Sequence, residues 1–202
     1  DWSSDVSSSD LAYPERPIKI VVANTPGGPS DITARMMAGW MQQDMGGSVF
    51  VENRGGAGGN IGYGYAAHAE ADGYTLLLTT SAYCVNPSLY NAVPYDPIKD
   101  FVPVCEPVSG PHVFAVKADL PVNSMKEFVA LVKKSPEKFN ASTPPIGTTP
   151  QLQCEVLKQI EGLQGMASVV FNGGGDAVKA LLSNTVQMNS GSLAPADRKS
   201  TR

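Results

Sequence analysis

Residues 18–38 read IKIVVANTPGGPSDITARMMA, and the changes of pattern within them decide the fold class. Residues 18–23 (IKIVVA) are a compact apolar run, the signature of a strand buried on both faces of a parallel sheet. Residues 24–29 (NTPGGP) are a turn. From residue 30 to 45 the positions Ile32, Met36, Met37, Trp40 and Met41 fall near one face of a helix, which predicts core packing for Trp40 beside Met36 and Met37. A strand, a glycine turn and a helix in that order open an α/β unit.

The alternation continues outward. A strand is predicted over 48–52, a glycine-rich loop over 54–60 (RGGAGGN), a helix over 61–69 and a strand over 74–79. The middle is proline-rich, and Pro87, Pro94, Pro97, Pro103 and Pro107 are expected to break any long element, with strands still readable at 101–108 and 113–116. A helix over 124–134 begins at the N-cap Ser124, with Glu127 three residues on. Then come a strand (139–142), a turn (143–147), a helix (148–161), a strand (168–171), a glycine turn (173–175), a helix (176–183) and a strand (186–188). The class is α/β with mostly parallel sheets, in two blocks of about 13–110 and 111–196. Residues 1–12, dominated by serine and aspartate, read as a flexible leader.

The 202 residues carry a net charge of −4 and no basic run, which argues against nucleic acid. No apolar run approaches the ~20 residues of a membrane span. An acidic protein that binds an anion must therefore do so through local dipoles. Cys84, Cys105 and Cys154 form no CxxC pair and have only His68 and His112 for company, so no metal spacing exists; buried or half-buried thiols are expected. No GxSxG elbow or paired nucleophile is present, so the chain reads as a non-enzyme without cofactor. Residues 55–62 (GGAGGNIG) invite a dinucleotide reading, but they follow the second strand, and the frame Gly56, Gly58, Ile61 lacks its third glycine.

Four turns share one character, small residues leading into a helix: residues 26–31 (PGGPSD), 55–62, 146–149 (IGTT) and 172–176 (NGGGD). Glycine lets a backbone approach a guest. The first helical turn has unpaired N–H groups and about half a positive charge, which suffices to bind a carboxylate without lysine. Hydroxyls of Ser30, Thr79, Thr80, Ser81, Thr148 and Thr149 are candidate further donors. Roughly five or six charge-assisted bonds of about 1.5–3 kcal/mol, less ordering costs, reach the −8 kcal/mol of a micromolar complex. Asp31 reads as a cap that fixes its turn, and Asn60 as either cap or contact. Tyr83 and Phe171, at or just past strand ends, either line a pocket or simply pack.

Residues 13–38, 51–62 (VENRGGAGGNIG), 71–81 (ADGYTLLLTTS), 86–90 (NPSLY) and 94–104 (PYDPIKDFVPV) resemble, in order, the Bug-type solute-binding proteins of tripartite tricarboxylate transporters; the agreement continues more loosely to residue 188. The resemblance implies a two-lobed, type II periplasmic-binding-protein-like α/β fold. It also implies a periplasmic monomer that closes on a small organic carboxylate (a di- or tricarboxylate, an amino acid or an aromatic acid) and presents it to membrane permease subunits. Carried over, the binding residues are Pro26, Gly27, Gly28, Ser30, Asp31, Ala57, Gly58, Asn60 and Ser81 in lobe one, and Thr148, Thr149, Phe171, Asn172 and Gly173 in lobe two. Phe171-Asn172-Gly173 stands where the family usually has Tyr-Lys-Gly, which alters the distal half of the pocket, and Tyr83 with Phe171 favours an aromatic acid. Family members run on to complete lobe one, so that lobe is expected to be incomplete and residues 197–202 (DRKSTR) a non-native tail. The rival readings are a ligand sensor for a membrane kinase and a Rossmann-type nucleotide-binding enzyme.

Overall fold

The computed structural model describes residues 13–192. Expectations for residues 1–12 and 193–202 lie outside them. The chain runs β1 (Ile18–Val22), α1 (Pro29–Met45), β2 (Val49–Asn53), a 3-10 turn (Ala57–Gly59), α2 (Asn60–Ala67), β3 (Thr75–Leu78) and α3 (Ala82–Leu89). It continues with β4 (His112–Val116), α4 (Met125–Val132), a 3-10 turn (Pro136–Lys138), β5 (Asn140–Thr143), α5 (Thr149–Glu161), β6 (Ala167–Val170), α6 (Gly174–Leu182) and β7 (Met188–Ser192). Two sheets result, β2-β1-β3 and β4-β7-β5-β6. The first is wholly parallel; in the second only β4 runs antiparallel, against β7.

β1 is central, with Ile18, Ile20 and Val22 buried on one face and Val21 on the other. Ile18, Ile20 and Val22 pack against Ala34 and Ala38 of α1, with Met37 and Met41 beside them. Ala23, just past the strand, joins Tyr63 and Tyr95 in a separate cluster. The expected stripe on α1 is corrected here: Met36 is 51% and Trp40 56% exposed. Ala34 and Ala38, one turn apart, make the inward ridge and let the helix sit close to the sheet, and positions two further along point to the opposite side. In the second sheet Ala141 and Met188 of neighbouring strands are covered by Phe128, Val132, Cys154, Leu163 and Met166. Ser124 caps α4 as predicted: its Oγ accepts the Glu127 N–H at 3.2 Å, while Glu127 Oε2 accepts the Asn123 N–H at 2.7 Å.

Four further expectations fail. Pro87 does not break the chain but lies inside α3. A proline removes the N–H that would reach the carbonyl four residues back, and that carbonyl, Tyr83 O, instead accepts the Tyr95 hydroxyl at 2.8 Å. The strand expected at 101–108 is absent; its Val102, Val104 and Val108 are exposed. Pro103 and Pro107 cannot donate to a ladder. The thiols of Cys84 and Cys105 are exposed, and only Cys154 is buried. The last strand begins at Met188 and runs through polar Asn189–Ser190, later than expected, because pairing with β4 and β5 places it rather than any apolar pattern.

Candidate functional site

In parallel sheets the strand ends that feed helices share one edge. Here β1, β2 and β3 deliver the turns before α1, α2 and α3, and β5 and β6 deliver those before α5 and α6. The two sets meet. The Thr149 N–H donates to Ser81 Oγ at 3.0 Å, and the Ser81 and Thr149 hydroxyls lie 2.9 Å apart. Thr25 Oγ1 donates to Asp176 Oδ2 at 3.3 Å. A Cβ on Gly28 would come within 3.8 Å of Gly174 N, and one on Gly175 within 3.1 Å of Gly27 O. A Cβ on Gly173 would collide with the Thr25 side chain, so glycine there is a requirement of close approach.

Each predicted residue has a definite place in this ring. Asp31 is buried in the first turn of α1, but Gly28 is the N-cap residue, and no side chain caps it. The Asp31 carboxylate reaches back instead. It accepts the Gly27 N–H at 2.9 Å and Arg35 Nε at 3.1 Å, with Arg35 Nη2 at 3.0 Å. Burial opposes its ionisation, but hydrogen bonds from Arg35, Gly27 and Asn53 and the charge of Arg35 outweigh that and hold the carboxyl below its ordinary value. The Gly27 N–H is therefore spent, which corrects its expected role as a donor to a guest. Ser30 Oγ accepts Asn24 Nδ2 at 3.3 Å and keeps its own proton to give.

The 3-10 turn is a left-handed run, with φ of +49° at Ala57, +67° at Gly58 and +97° at Gly59. Such turns gather successive N–H groups into an anion-binding concavity. Asn86 holds this one in place, donating to Gly58 O at 3.0 Å and Asn60 Oδ1 at 2.8 Å. With its oxygen occupied, the Asn60 amide is left to offer N–H. Thr148 is corrected: its hydroxyl and N–H both go to Pro145 O, at 2.6 and 3.2 Å, so neither is available. Pro26, Ala57 and Asn172 are exposed at the rim, Phe171 is half-buried, and Gly173 is buried at the mouth of α6. Tyr83 is no pocket wall. It stacks on Tyr95 at 5.3 Å, meets Phe101 edge-on and donates to Pro97 O at 2.6 Å.

Sequence reasoning did not name Thr25, Asn86, Gly147 or Asp176 as site residues, although Gly147 and Asp176 lie in two of the helix-entering turns it singled out. Asn86 had a signal, because it opens the motif NPSLY; nothing local marks Thr25. Electrostatically, residues 24–31, 55–62, 79–86, 143–150 and 171–176 contain no lysine or arginine. The cations that border them are engaged: Arg35 with Asp31, Lys179 with Asp176 at 2.8 Å, and Arg54 with Glu52 at 2.5 Å while stacking on Tyr65. An anion in this seam would be held by backbone amides and neutral side chains.

Two α/β lobes whose helix mouths face one another across a seam define the class of two-lobed periplasmic binding proteins, and a solved periplasmic transporter and the periplasmic binding protein BugD share this fold. Residues 33–198 match the tripartite tricarboxylate transporter family receptor, TctC. The chain belongs to that family, whose members are receptors and not enzymes. It is 35% identical over 176 residues to the protein BugT of Bordetella pertussis, covering 86% of this chain and 54% of BugT. A solved R. palustris protein with adipate is 29% identical, with a TM-score of 0.87 over 91% of this chain and 62% of that one. MatC from Rhodopseudomonas palustris, with bound malate, is 28% identical, with a TM-score of 0.81 over 91% and 63%. The chain thus spans about half the length of the curated relatives it matches.

Proposed function

We propose that this protein captures a small organic carboxylate in the periplasm, as a monomer, and presents it to the membrane subunits of a tripartite tricarboxylate-type transporter. The observation that carries the reading is the meeting of five strand-to-helix turns from two sheets with no lysine or arginine in their sequences, the bordering Arg35 and Lys179 being paired with Asp31 and Asp176. Helix mouths supply partial positive charge without the desolvation cost of a buried lysine. The carboxylate sits against the first-turn amides of α1 at Ser30 and Asp31, the left-handed turn at Ala57 and Gly58, and Asn60. Ser81, Thr149, Asn172 and Gly173 complete the cradle from both sides, with Pro26, Gly28 and Phe171 shaping its walls. The lobes close because the ligand binds the closed arrangement better.

Relatives with adipate and malate support a carboxylate as the guest and put dicarboxylates first in any screen. With Tyr83 withdrawn into packing, the case for an aromatic acid rests on Phe171 alone. The test is a thermal-shift screen of aliphatic dicarboxylates, tricarboxylates, amino acids and aromatic acids. A ligand at a hundred times its dissociation constant stabilises by about 2.7 kcal/mol, a shift well within reach of the method. A panel in which no acid raises the melting temperature, or in which all acids and sulfate act alike, would falsify the reading.

A further inference from the structure

The stretch at residues 86–90 does work that the carboxylate reading leaves unassigned. Asn86 is wholly buried in α3, between the glycine turn of lobe one and the start of α5 in lobe two. Its amide hydrogens go to Gly58 O and Asn60 Oδ1. Gly58 O can only accept, so the NH2 must face it, and the Asn86 oxygen is forced to the other side. That oxygen is buried and has no hydrogen-bond partner. It faces Gly147 of lobe two, where a Cβ would lie 2.7 Å from Asn86 Oδ1, 3.2 Å from Leu89 Cδ1 and 3.6 Å from Ala82 Cα. Tyr90, at the end of the same stretch, lies with its hydroxyl against Gly58, where it too leaves no room for a side chain.

We infer that α3 is a strut that couples the lobe-one anion turn to lobe closure, with Asn86 as its positioning residue and Gly147 as the gap that admits it. One amide side chain holds the turn at Gly58–Asn60 with its nitrogen and meets the opposite lobe with its oxygen. An unpaired buried carbonyl is destabilising. The cost falls on the closed arrangement alone, because an open seam lets water reach the oxygen. Closure is thereby held marginal without a ligand, which is what a clamp that responds to its guest requires. The inference rests on the clamp reading for its purpose, and on the packing of α3 for its geometry.

The test needs no ligand. Amide hydrogen exchange of the 202-residue chain reads the seam at the Thr149 N–H, bonded to Ser81 across the lobes, and lobe two alone at the Phe171 N–H, bonded to Thr143 O at 2.9 Å. Gly147→Ala is expected to speed exchange at Thr149 by at least about tenfold and leave Phe171 within about threefold. In an Asn86→Ala background, with the opposing oxygen gone, the same substitution is expected to speed Thr149 at least about threefold less than in wild type, the remainder being the backbone strain of alanine at φ +85°. Asn86→Ala alone is expected to speed exchange at the Gly59 N–H, which closes the glycine turn onto Gly56 O. Equal acceleration at Thr149 and Phe171 overturns the inference, as does an effect of Gly147→Ala that is the same in both backgrounds. Should no acid bind while Thr149 responds as described, the clamp reading fails and the strut stands. Should an acid bind while Thr149 does not respond, the strut fails and the clamp reading stands.

Discussion

Replacing Asp31 with alanine removes a buried carboxylate, 5% exposed, from the Gly27 N–H and from Arg35. The Arg35 side chain is 56% exposed, so the pair is discounted to about 0–1 kcal/mol. The hydrogen bond to Gly27 adds about 1.5 kcal/mol, the low end for a charged acceptor, because Gly27 is exposed and water can replace the carboxylate. An acid in the first turn of α1 adds about 0.3–1 kcal/mol. The loss is thus about 1.8–3.5 kcal/mol, roughly 4–14 °C in melting temperature for a chain of this size. Asp31→Asn keeps an acceptor for Gly27 and is expected to cost about half as much. The effect on binding distinguishes two physical accounts. If Asp31 acted on the guest only through its field, removing a negative charge would tighten anion binding by about 1 kcal/mol. If it acts by holding the turn, binding of the acid found in the screen weakens at least about tenfold, or 1.4 kcal/mol. Calorimetry on wild type and both variants decides, and unchanged or tighter binding by Asp31→Ala refutes the turn-holding account. The pH dependence gives a second check. The native carboxyl lies below its ordinary value, so its contribution is complete above about pH 4, the unfolded value, and is lost as pH falls through the native one. The stability gap between wild type and Asp31→Ala should close in strong acid.

Other expectations follow from the packing around α3 and the thiols. Tyr95→Phe strips the donor from Tyr83 O and is expected to cost about 1–3 kcal/mol; adding Pro87→Ala restores a helical N–H to that carbonyl and should recover much of the loss in denaturant melts, whereas additive effects would contradict the assignment. Burial, with Cys84, Asp100 and Asp96 adding to it, pushes the Tyr83 hydroxyl up to about 12. Spectrophotometric titration should therefore show Tyr83 ionising near 12, with Tyr63 and Tyr95 also held by burial above the ordinary value of about 10. The stability this proton contributes is complete below the ordinary value and lost as pH rises through the native one. A thiol reagent should label Cys84 and Cys105 rapidly and Cys154, buried and with its thiol pushed up by that burial, only on unfolding; three equal rates would contradict the packing of α5.

The elements were legible where local pattern and tertiary role agree. β1 is apolar at consecutive positions because both its faces are covered, and the sequence shows that directly. Ser124 and Glu127 cap α4 from within four residues, so the motif carries its own geometry. Reading failed where a distant partner substitutes for a local one. Pro87 looked like a breaker because the Tyr95 hydroxyl that takes over its hydrogen bond is eight residues away and outside the helix. Met36 and Trp40 looked like core because helical spacing leaves the direction of the stripe open, and it was the two alanines that chose the face.

The same division holds for the site. Sequence alone determined that small residues enter several helices without a lysine or arginine nearby, because composition and order are local properties. It could not determine which of those amides are free. Gly27 is spent on Asp31 and Thr148 on Pro145, whereas Asn60 has its oxygen engaged by Asn86 and its N–H left over. Those allocations depend on which chain segments come within 3 Å of each other. Parallel sheets bring residues 26 to 151 positions apart to one edge, and only the folded chain shows which donor meets which acceptor there.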